Sequence, residues 1–288
     1  MATLKDIKRR ITSVTNTQQI TNAMKMISAA KLTRAQTAAK EAQPYAAKLR
    51  AMVTAMAAGM TGEDHPLFEV REGGKSAVIL FTSDRGLCGG FNSNLNRMVN
   101  ASREGGAFGA ESELVVFGRK GNDFFRRRNT PIVRAVVQLR EAERRAVIPE
   151  VMEELVGRFL AGEVNRVFLA YNHYDNPIRQ VPGILPLLPV VAPEAEEGAE
   201  AVDEREALFE PDRGAILDSL LPRYLENQVF TAHLNTEAGE HGARMVAMEG
   251  ATKNAGEMID NLTLTYNRLR QAAITRELIE IVSGAEAL

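Results

Sequence analysis

One run of apolar and small residues in the last third of the chain restricts the possible folds most strongly. In this run, apolar and small residues occupy the a and d positions of four heptads in one register, which is the pattern of a coiled-coil seam. The pattern predicts a helix from about Arg223 to Ser283, or from before Pro222 with a kink there, roughly 90 Å long at ~1.5 Å per residue. Such a helix needs a partner to cover its stripe. The seam residues, separated by alternating steps of three and four, are Met245, Met248, Thr252, Ala255, Ile259, Leu262, Tyr266, Leu269 and Ala273.

The first segment of the chain predicts a second long helix. From Thr3 to about Ala58 it contains no glycine and one proline, Pro44, and strong helix formers dominate it. We expect a helix of about 55 residues with a bend near the proline, paired antiparallel with the C-terminal helix because neither buries its stripe alone. Its apolar residues, at steps of three and four with occasional slips, are Leu4, Ile7, Ile11, Val14, Ile20, Met24, Ile27, Ala42, Tyr45, Leu49, Met52 and Met56.

The middle of the chain alternates between strand and helix patterns. Strands are predicted at 75–83, 113–118, 131–137 and 166–172, and helices near 92–103, 119–128 and 141–161. Residues 184–190 hold two prolines and predict an edge strand or an extended loop, and a last short strand is expected near "ALFEPD", 207–212.

The fold class is therefore α/β. It combines a long antiparallel coiled coil of the N- and C-terminal helices with a Rossmann-like, doubly wound, mostly parallel sheet. The predicted domains are the N-terminal coiled-coil helix at 1–60, the Rossmann-like domain at 61–211 and the C-terminal coiled-coil helix at 212–288.

Charge and composition limit the partners. The net charge is −2, but residues 1–50 carry +8 and residues 194–210 carry −7. The basic segment suits a solvated helix face or an acidic protein surface, and nucleic acid is disfavoured because Tyr45 is the only ring before residue 60. The single cysteine, Cys88, fits a reducing compartment. The chain has no apolar run of roughly 18 residues, so we expect no direct membrane insertion.

A glycine-rich turn follows the first predicted strand. Gly86, Gly89 and Gly90 have the spacing G-x-x-G-G, which differs from both the dinucleotide fingerprint and the P-loop. We therefore expect these glycines to permit a tight turn and close helix packing rather than to bind a cofactor. Catalytic and metal residues are not expected either, since Cys88 has no histidine motif beside it. The four histidines also lack metal-ligand spacing: His65, His173, His233 and His241.

Three segments carry a resemblance to a known family. They are "KDIKRRITSVTNTQQITNAMKMISAAKL" at the start, "SDRGLCGGFN" in the middle, and "ARMVAMEGATKNAGEMI" with "YNRLRQAAITRELIEIVSGA" at the end. Together they resemble the γ subunits of the rotary F-type ATP synthases, over essentially the whole chain. The resemblance implies a non-catalytic shaft that rotates inside a ring of three α and three β subunits. It also implies that the base of this shaft sits on the membrane c-ring together with the ε subunit.

The resemblance also implies contact residues. Those matched within the family motifs to the α/β ring are Met24, Arg244, Arg270, Gln271, Thr275 and Glu277. Glu210 of "ALFEPD" stands where an acidic residue is expected at the c-ring, although its neighbours match less well. The apolar end of the chain suits a tip turning in an apolar bearing, and the basic N-terminal helix suits an acidic segment of the β subunits.

The resemblance further implies a location and excludes two variants. Chloroplast members carry a regulatory cysteine pair, and mitochondrial precursors begin with a transit peptide; neither feature is found here. We therefore expect a bacterial enzyme on the cytoplasmic face of the plasma membrane.

Two other classes of protein share parts of this sequence pattern. A flagellin-type filament protein also pairs terminal helices, but it predicts richness in asparagine, serine and threonine and no β/α alternation. A dinucleotide-dependent enzyme would require a saturable cofactor and an acidic residue after the second strand.

Overall fold

A computed structural model describes residues 3–57, 65–109, 111–191 and 213–286 of the chain. The helices are α1 (Leu4–Ala57), α2 (Phe91–Glu104), α3 (Arg119–Arg126), α4 (Glu141–Leu160) and α5 (Arg213–Glu286). The strands are β1 (Lys75–Phe81), β2 (Glu111–Phe117), β3 (Ile132–Val136), β4 (Arg166–Tyr174) and β5 (Gln180–Leu188). The two long helices therefore have the predicted positions, and α5 begins before Pro222. The predicted strand at 207–212 lies outside the described residues.

Contacts within the chain form two units. The helical unit comprises residues 1–29 and 244–288, and the sheet unit comprises residues 30–243. Helices α1 and α5 contribute residues to both. The three-part division into domains stays a prediction.

The sheet unit contains five strands in the order β3-β2-β1-β4-β5. β1 pairs in parallel with β2 and β4, and β2 pairs in parallel with β3. β5 is antiparallel to β4 and holds most of residues 184–190, so the edge-strand alternative is correct. β1 is buried along nearly its whole length, which explains why its sequence is a continuous apolar run instead of an alternating one.

Helices cover both faces of this sheet. On one face, Ile79 and Phe117 belong to a core that also includes Val53 of α1, Leu155 of α4 and Leu221 of α5. On the other face, side chains of β1 and β2 share a core with residues of α2 and α3, including Leu80, Val116, Leu95 and Phe125. The predicted doubly wound, mostly parallel arrangement is confirmed.

The helical unit is an antiparallel helix pair. Lys25 of α1 forms an ion pair of 2.8 Å with Glu249 of α5, and the Thr252 hydroxyl donates to the Thr21 hydroxyl over 2.8 Å. One turn before Thr21, Gln18 lies beside Gly256. Residue numbers thus fall on α5 as they rise on α1, which confirms the antiparallel pairing.

The predicted seam of α5 is also confirmed. Met248 and Ala255 are buried, and the other seam positions are half-buried, except Leu269, which is 37% exposed. Most of the residues between them are exposed, and those flanking the seam are half-buried, as expected of a strip about one-third of a helix wide.

The predicted stripe of α1 is wrong at four positions. Ile20 and Ile27 are 60% and 58% exposed, and Tyr45 and Met52 are also exposed. Most buried and half-buried positions of this helix follow a three-four alternation, which passes through several polar residues that a search for apolar residues skips. Between residues 18 and 28 this alternation falls on Gln18, Thr21, Lys25 and Ser28, and Met24 beside it is half-buried as well.

Buried threonine is tolerated in this seam because its hydroxyl is satisfied. The Thr21 hydroxyl donates to the carbonyl of Gln18 over 3.0 Å and accepts from Thr252. A buried polar group with partners avoids the penalty of about 1–3 kcal/mol that an unpaired one carries. Further along α1, Ala46 is half-buried and Val53 is buried, and they stand one residue beyond the exposed Tyr45 and Met52.

Candidate interaction surfaces

The glycine-rich turn after β1 is closed by its own side chains. The Asn92 side chain accepts from the Ser83 amide over 2.9 Å and donates to the Ser83 hydroxyl over 2.7 Å. It also donates to the Cys88 sulfur over 3.2 Å, and Cys88 is buried. Gly89 has a φ of 57°, a left-handed conformation that favours glycine. The tight-turn interpretation therefore fits Gly89.

Close packing is made by one glycine of the turn and by two glycines after β2. A Cβ on Gly86 would lie 3.5 Å from the nearest side-chain atom, which is an ordinary contact, whereas a Cβ on Gly90 would lie 2.8 Å from the side-chain nitrogen of Asn94 on α2. Gly118, at the start of α3, has a φ of 100°, and a Cβ there would collide with the carbonyl oxygen of Thr82. A Cβ on Gly121 would lie 2.9 Å from the Thr82 hydroxyl oxygen. The expected close helix packing therefore fits Gly90, and the tightest approach is made after β2.

The crevice at the carboxyl ends of β1 and β4 is where open α/β sheets usually bind ligands. Here the Asn172 side chain of β4 donates to the carbonyl of Phe91, the first residue of α2, over 3.2 Å. Gly239 of α5 lies so close to Phe91 that a Cβ would be 2.8 Å from the ring. Strand, α2 and α5 are thus joined directly at this edge. Asn172 itself is a buried residue of β4.

Asp84 joins the loops at the same edge of the sheet. One carboxylate oxygen accepts from the amides of Arg119 and Gln138, over 2.8 and 3.2 Å. The other accepts from the Arg144 guanidinium over 2.5 Å. A single carboxylate therefore connects the segments that follow β1, β2 and β3 to α4.

His233 is a buried, neutral histidine on α5. Burial, and secondarily the positive charges of Arg144 and Arg145, lower the pKa of His233 to about 3. Its Nε2 lies 3.4 Å from a carboxylate oxygen of Glu237. Among the residues that the structure describes, no three His, Cys, Asp or Glu side chains are grouped closely enough to hold a metal ion.

The predicted contacts of the last α5 segment lie together on an open surface. Arg270, Gln271, Thr275 and Glu277 are all exposed within about two helical turns. The Thr275 hydroxyl donates to the carbonyl of Gln271 over 2.9 Å, so it faces along the helix.

The other predicted contacts differ in accessibility. Met24 is half-buried on α1, and Arg244 is only 7% exposed within the chain itself. Glu210 lies outside the described residues. Four of the seven predicted residues thus lie exposed within one short stretch of α5.

The end of α5 exposes large apolar side chains. Beyond the last seam residue, Ala273, every position whose burial is described is exposed. The apolar residues here are between 50% and 68% exposed: Ile274, Leu278, Ile279, Ile281 and Val282. They occupy several directions around the helix, so one neighbouring helix would not cover them. This surface is called the α5 tip below.

A second exposed apolar surface lies on α1, and the sequence interpretation missed it. Ile20, Met26 and Ile27 are each about 60% exposed in the helical unit. Ile20 and Ile27 face away from the seam, because they stand two residues from the half-buried Gln18 and Lys25. A strict three-four alternation drawn through Leu4, Ile7 and Ile11 would have placed them outside the seam. Together the three residues form the α1 outer face.

No helix in the described ranges has a stretch apolar enough to cross a lipid bilayer. The two long helices are amphipathic or polar over most of their length, and charged residues recur throughout them.

Comparison with known proteins identifies the family. A family model described as ATP synthase matches residues 3–288. The ATP synthase gamma chain of Pelotomaculum thermopropionicum is 46% identical over 288 residues, and that of Moorella thermoacetica is 47% identical over 289 residues. All of this chain and all of each relative are covered.

Solved structures share the fold at lower identity. A chain of the Euglena gracilis mitochondrial ATP synthase, in an assembly of OSCP, F1 and c-ring, matches with a TM-score of 0.67 and 20% identity, covering 99% of this chain and 94% of that one. A chain of the Tetrahymena thermophila mitochondrial ATP synthase, from its central stalk and c-ring, matches with a TM-score of 0.58 and 24% identity, covering 81% and 99%. From the family model and the full-length relatives, the chain belongs to the ATP synthase gamma chains, the family that its terminal motifs resemble.

Proposed function

We propose that the chain is the central rotating shaft of an F-type ATP synthase. In this role it couples ion flow through a membrane c-ring to ATP synthesis or hydrolysis at catalytic β subunits. The observation that carries the proposal is the α5 tip, in a chain that is a gamma subunit of ATP synthase over its full length.

The α5 tip needs a cover that the helix pair does not supply. Soluble proteins rarely expose contiguous apolar surface without a binding role. Covering each large aliphatic side chain would contribute about 1.5–3 kcal/mol. An apolar bearing formed by a surrounding ring of subunits covers all sides of a helix at once.

The other contacts fit a sleeve around the helical unit. The exposed Arg270, Gln271, Thr275 and Glu277 would meet the α and β subunits beside the tip. Met24 would do so from α1 together with the α1 outer face. Arg244 is mostly buried in the free chain, so we propose that only its exposed edge reaches a ring subunit.

The charge distribution supports one kind of partner surface. Residues 1–50 carry a net charge of +8, and the described charged residues of α1 in the helical unit include Lys5, Lys8, Arg9 and Arg10. A basic helix next to an acidic segment of β gains from charge complementarity, which guides docking more than it adds affinity.

The coupling follows from unequal contact. One asymmetric rod inside a threefold ring touches each β subunit differently, so it favours a different conformation at each catalytic site. It can shift a site only by as much as its contacts discriminate between the conformations of that site. Rotation of the rod exchanges the three states, and bond chemistry remains with β.

We also propose that the sheet unit contacts the c-ring and the ε subunit. Glu210 is the proposed c-ring contact. This assembly would sit at the cytoplasmic face of a bacterial plasma membrane, attached through the c-ring.

The experiment is reconstitution with the cognate α and β subunits. Purified α and β are assayed for ATP hydrolysis with and without the full chain, alongside size-exclusion chromatography. We expect an assembly of three α, three β and one copy of this chain, with turnover higher than that of α and β alone. Failure to join α and β, with unchanged turnover, would overturn the proposal.

A truncation sharpens the test. A chain ending after Tyr266 loses the α5 tip and the exposed contact residues but keeps most of the seam. We expect it to assemble weakly and to lose coupling between hydrolysis and proton transport when the membrane part is present.

A further inference from the structure

The end of β4 contacts both long helices within the sheet unit. The backbone amide of Tyr174 donates to the side-chain oxygen of Asn235 on α5 over 3.1 Å. The side-chain hydroxyl of Tyr174 accepts from the side-chain amide of Gln36 on α1 over 2.8 Å. One residue at the end of a strand is therefore hydrogen-bonded to α1 and α5 at once.

A close approach reinforces this contact on the side of α5. A Cβ on Gly242 would lie 3.1 Å from Cα of Pro177 and 3.3 Å from the Tyr174 ring, tighter than ordinary packing. A glycine inside a helix costs about 1 kcal/mol relative to alanine. Such a glycine therefore has a packing reason, and here it admits the turn between β4 and β5.

That turn is itself stiffened by hydrogen bonds. The Asn176 side chain accepts from the amides of Ile178 and Arg179, over 3.0 and 2.9 Å. The Gln180 side chain donates to the carbonyls of Asn176 and Pro177, over 3.0 and 2.8 Å. The turn therefore presents a fixed surface to α5.

Apolar packing and hydrogen bonds differ in how well they resist rotation of a helix against the sheet, which is the load on a shaft. Apolar packing, as between α5 and the sheet at Leu221 and Val229, resists separation of two surfaces. It is non-directional, so it resists rotation of a helix about its own axis less well. Hydrogen bonds with defined angles, and a turn seated against a glycine, resist that rotation directly.

We propose that Tyr174, with Gln36, Asn235, Pro177 and Gly242, forms a joint that transmits torque from the sheet unit into both long helices. This Tyr174 joint lies wholly inside the sheet unit, and its role rests on the proposed shaft function. Tyr174 is a positioning residue: it holds the helices against the rotating base and touches no substrate.

The test uses the full chain assembled with α and β, with torsional stiffness measured by a bead attached to the sheet unit. Tyr174→Phe removes one of the two Tyr174 hydrogen bonds and keeps the ring. Gly242→Ala presses a methyl group against Pro177. Gly250→Ala is the matched control, because it makes the same change in α5 where a Cβ meets nothing within 4 Å.

We expect Tyr174→Phe to lower the stiffness about two-fold, since one of the two directional bonds of Tyr174 is lost. Gly242→Ala should lower it too, and Gly250→Ala should match the unmodified chain. In membranes with the complete enzyme, the first two variants should pump fewer protons per ATP hydrolysed. The melting temperature of the free chain separates this effect from simple loss of stability.

The experiment distinguishes failure of the shaft function from failure of the Tyr174 joint. If the unmodified chain does not join α and β or raise their turnover, the shaft function itself fails. If the unmodified chain works and both joint variants equal Gly250→Ala in stiffness and in proton transport, the Tyr174 joint is wrong. A lower melting temperature with unchanged stiffness would likewise overturn it, because that is the result of a purely structural contact.

Discussion

Helix α5 behaves in opposite ways at its two ends. In the sheet unit, Leu217, Leu221, Leu225 and Val229 are at most 1% exposed, packed under the sheet. After Ala273, aliphatic residues of the same size are half to two-thirds exposed. The hydrophobicity is similar, so the difference lies in what covers it. The first end stabilises the chain itself, and the second is available to another protein.

This comparison separates two kinds of substitution. Changes at the covered end and in the sheet around it should lower the free energy of unfolding. Changes at the α5 tip should leave that free energy almost unaltered and weaken assembly.

The largest effect is expected from Gly118→Ala. The methyl group would collide with the carbonyl oxygen of Thr82, and the φ of 100° is unfavourable for alanine. We expect a loss of about 4 kcal/mol or more in unfolding free energy, or failure to fold. Denaturant unfolding of the free chain measures it.

The control for this change is Gly157→Ala in α4, where a Cβ meets nothing within 4 Å. It should stabilise the chain by up to about 1 kcal/mol. Equal stability of the two variants would contradict the packing described for Gly118.

The second effect is that of Asp84→Asn. The change removes the charge opposite Arg144 and weakens the bonds from the amides of Arg119 and Gln138. Because both partners of the ion pair are largely buried, we expect a loss of about 3 kcal/mol. Urea unfolding checks this value.

Asp123→Asn serves as its control, since that carboxylate pairs with Arg119 at 3.9 Å on the exposed surface. It should change stability by less than about 1 kcal/mol. If Asp84→Asn is as mild as this control, Asp84 does not hold the loops together.

The third effect is a dependence on pH that comes from His233. Its pKa is lowered to about 3 in the folded chain, whereas an unfolded histidine titrates near 6.5. The unfolded state therefore binds an extra proton below about pH 6.5, so stability is present above that pH and falls as the pH drops toward 3. Between pH 7 and pH 5 the loss should be about 2 kcal/mol.

His233→Gln should remove that part of the pH dependence, whereas His173→Gln should retain it, because His173 is exposed. Unfolding curves at several pH values compare the variants. If the unfolding free energy of His233→Gln kept the wild-type dependence on pH, then His233 would be protonated in the folded chain or would not be buried.

The smallest effect on stability is expected at the α5 tip. The double change Ile279→Ser and Ile281→Ser alters two exposed residues that face no part of this helix pair, so unfolding free energy should change by less than about 0.5 kcal/mol. Binding to α and β should nevertheless weaken, as measured by titration of turnover. A large loss of unfolding free energy without weaker assembly would contradict the contrast drawn between the two ends of α5.

Much of the fold could be predicted because its signals are apolar and local. The seam of α5 and the strand β1 consist of apolar residues at regular spacing, which leaves one interpretation. The predicted seam of α1 is wrong at Ile20 and Ile27, because the neighbouring polar residues Thr21 and Ser28 occupy the buried positions instead. Such residues can be buried because their hydroxyl groups form hydrogen bonds. A hydrophobicity scale scores them as polar and therefore does not detect their burial.

The sites were predictable only in part. The resemblance supplied Arg270, Gln271, Thr275 and Glu277, and it also gave the apolar end of the chain its interpretation as a tip. The Tyr174 joint and the role of Asp84 depend on residues far apart in the sequence, brought together by the order of the strands. No local spacing encodes such contacts, so they emerge only from the folded chain.

The most direct test of the account is observation of rotation. α and β subunits are fixed to a surface with this chain assembled among them, and a bead is attached to a cysteine introduced on the exposed surface of the sheet unit. If this chain is the shaft, ATP should drive the bead in one direction, with three equivalent pauses in each turn. Assemblies that hydrolyse ATP while the bead shows only random motion would contradict the proposal that this chain is the shaft.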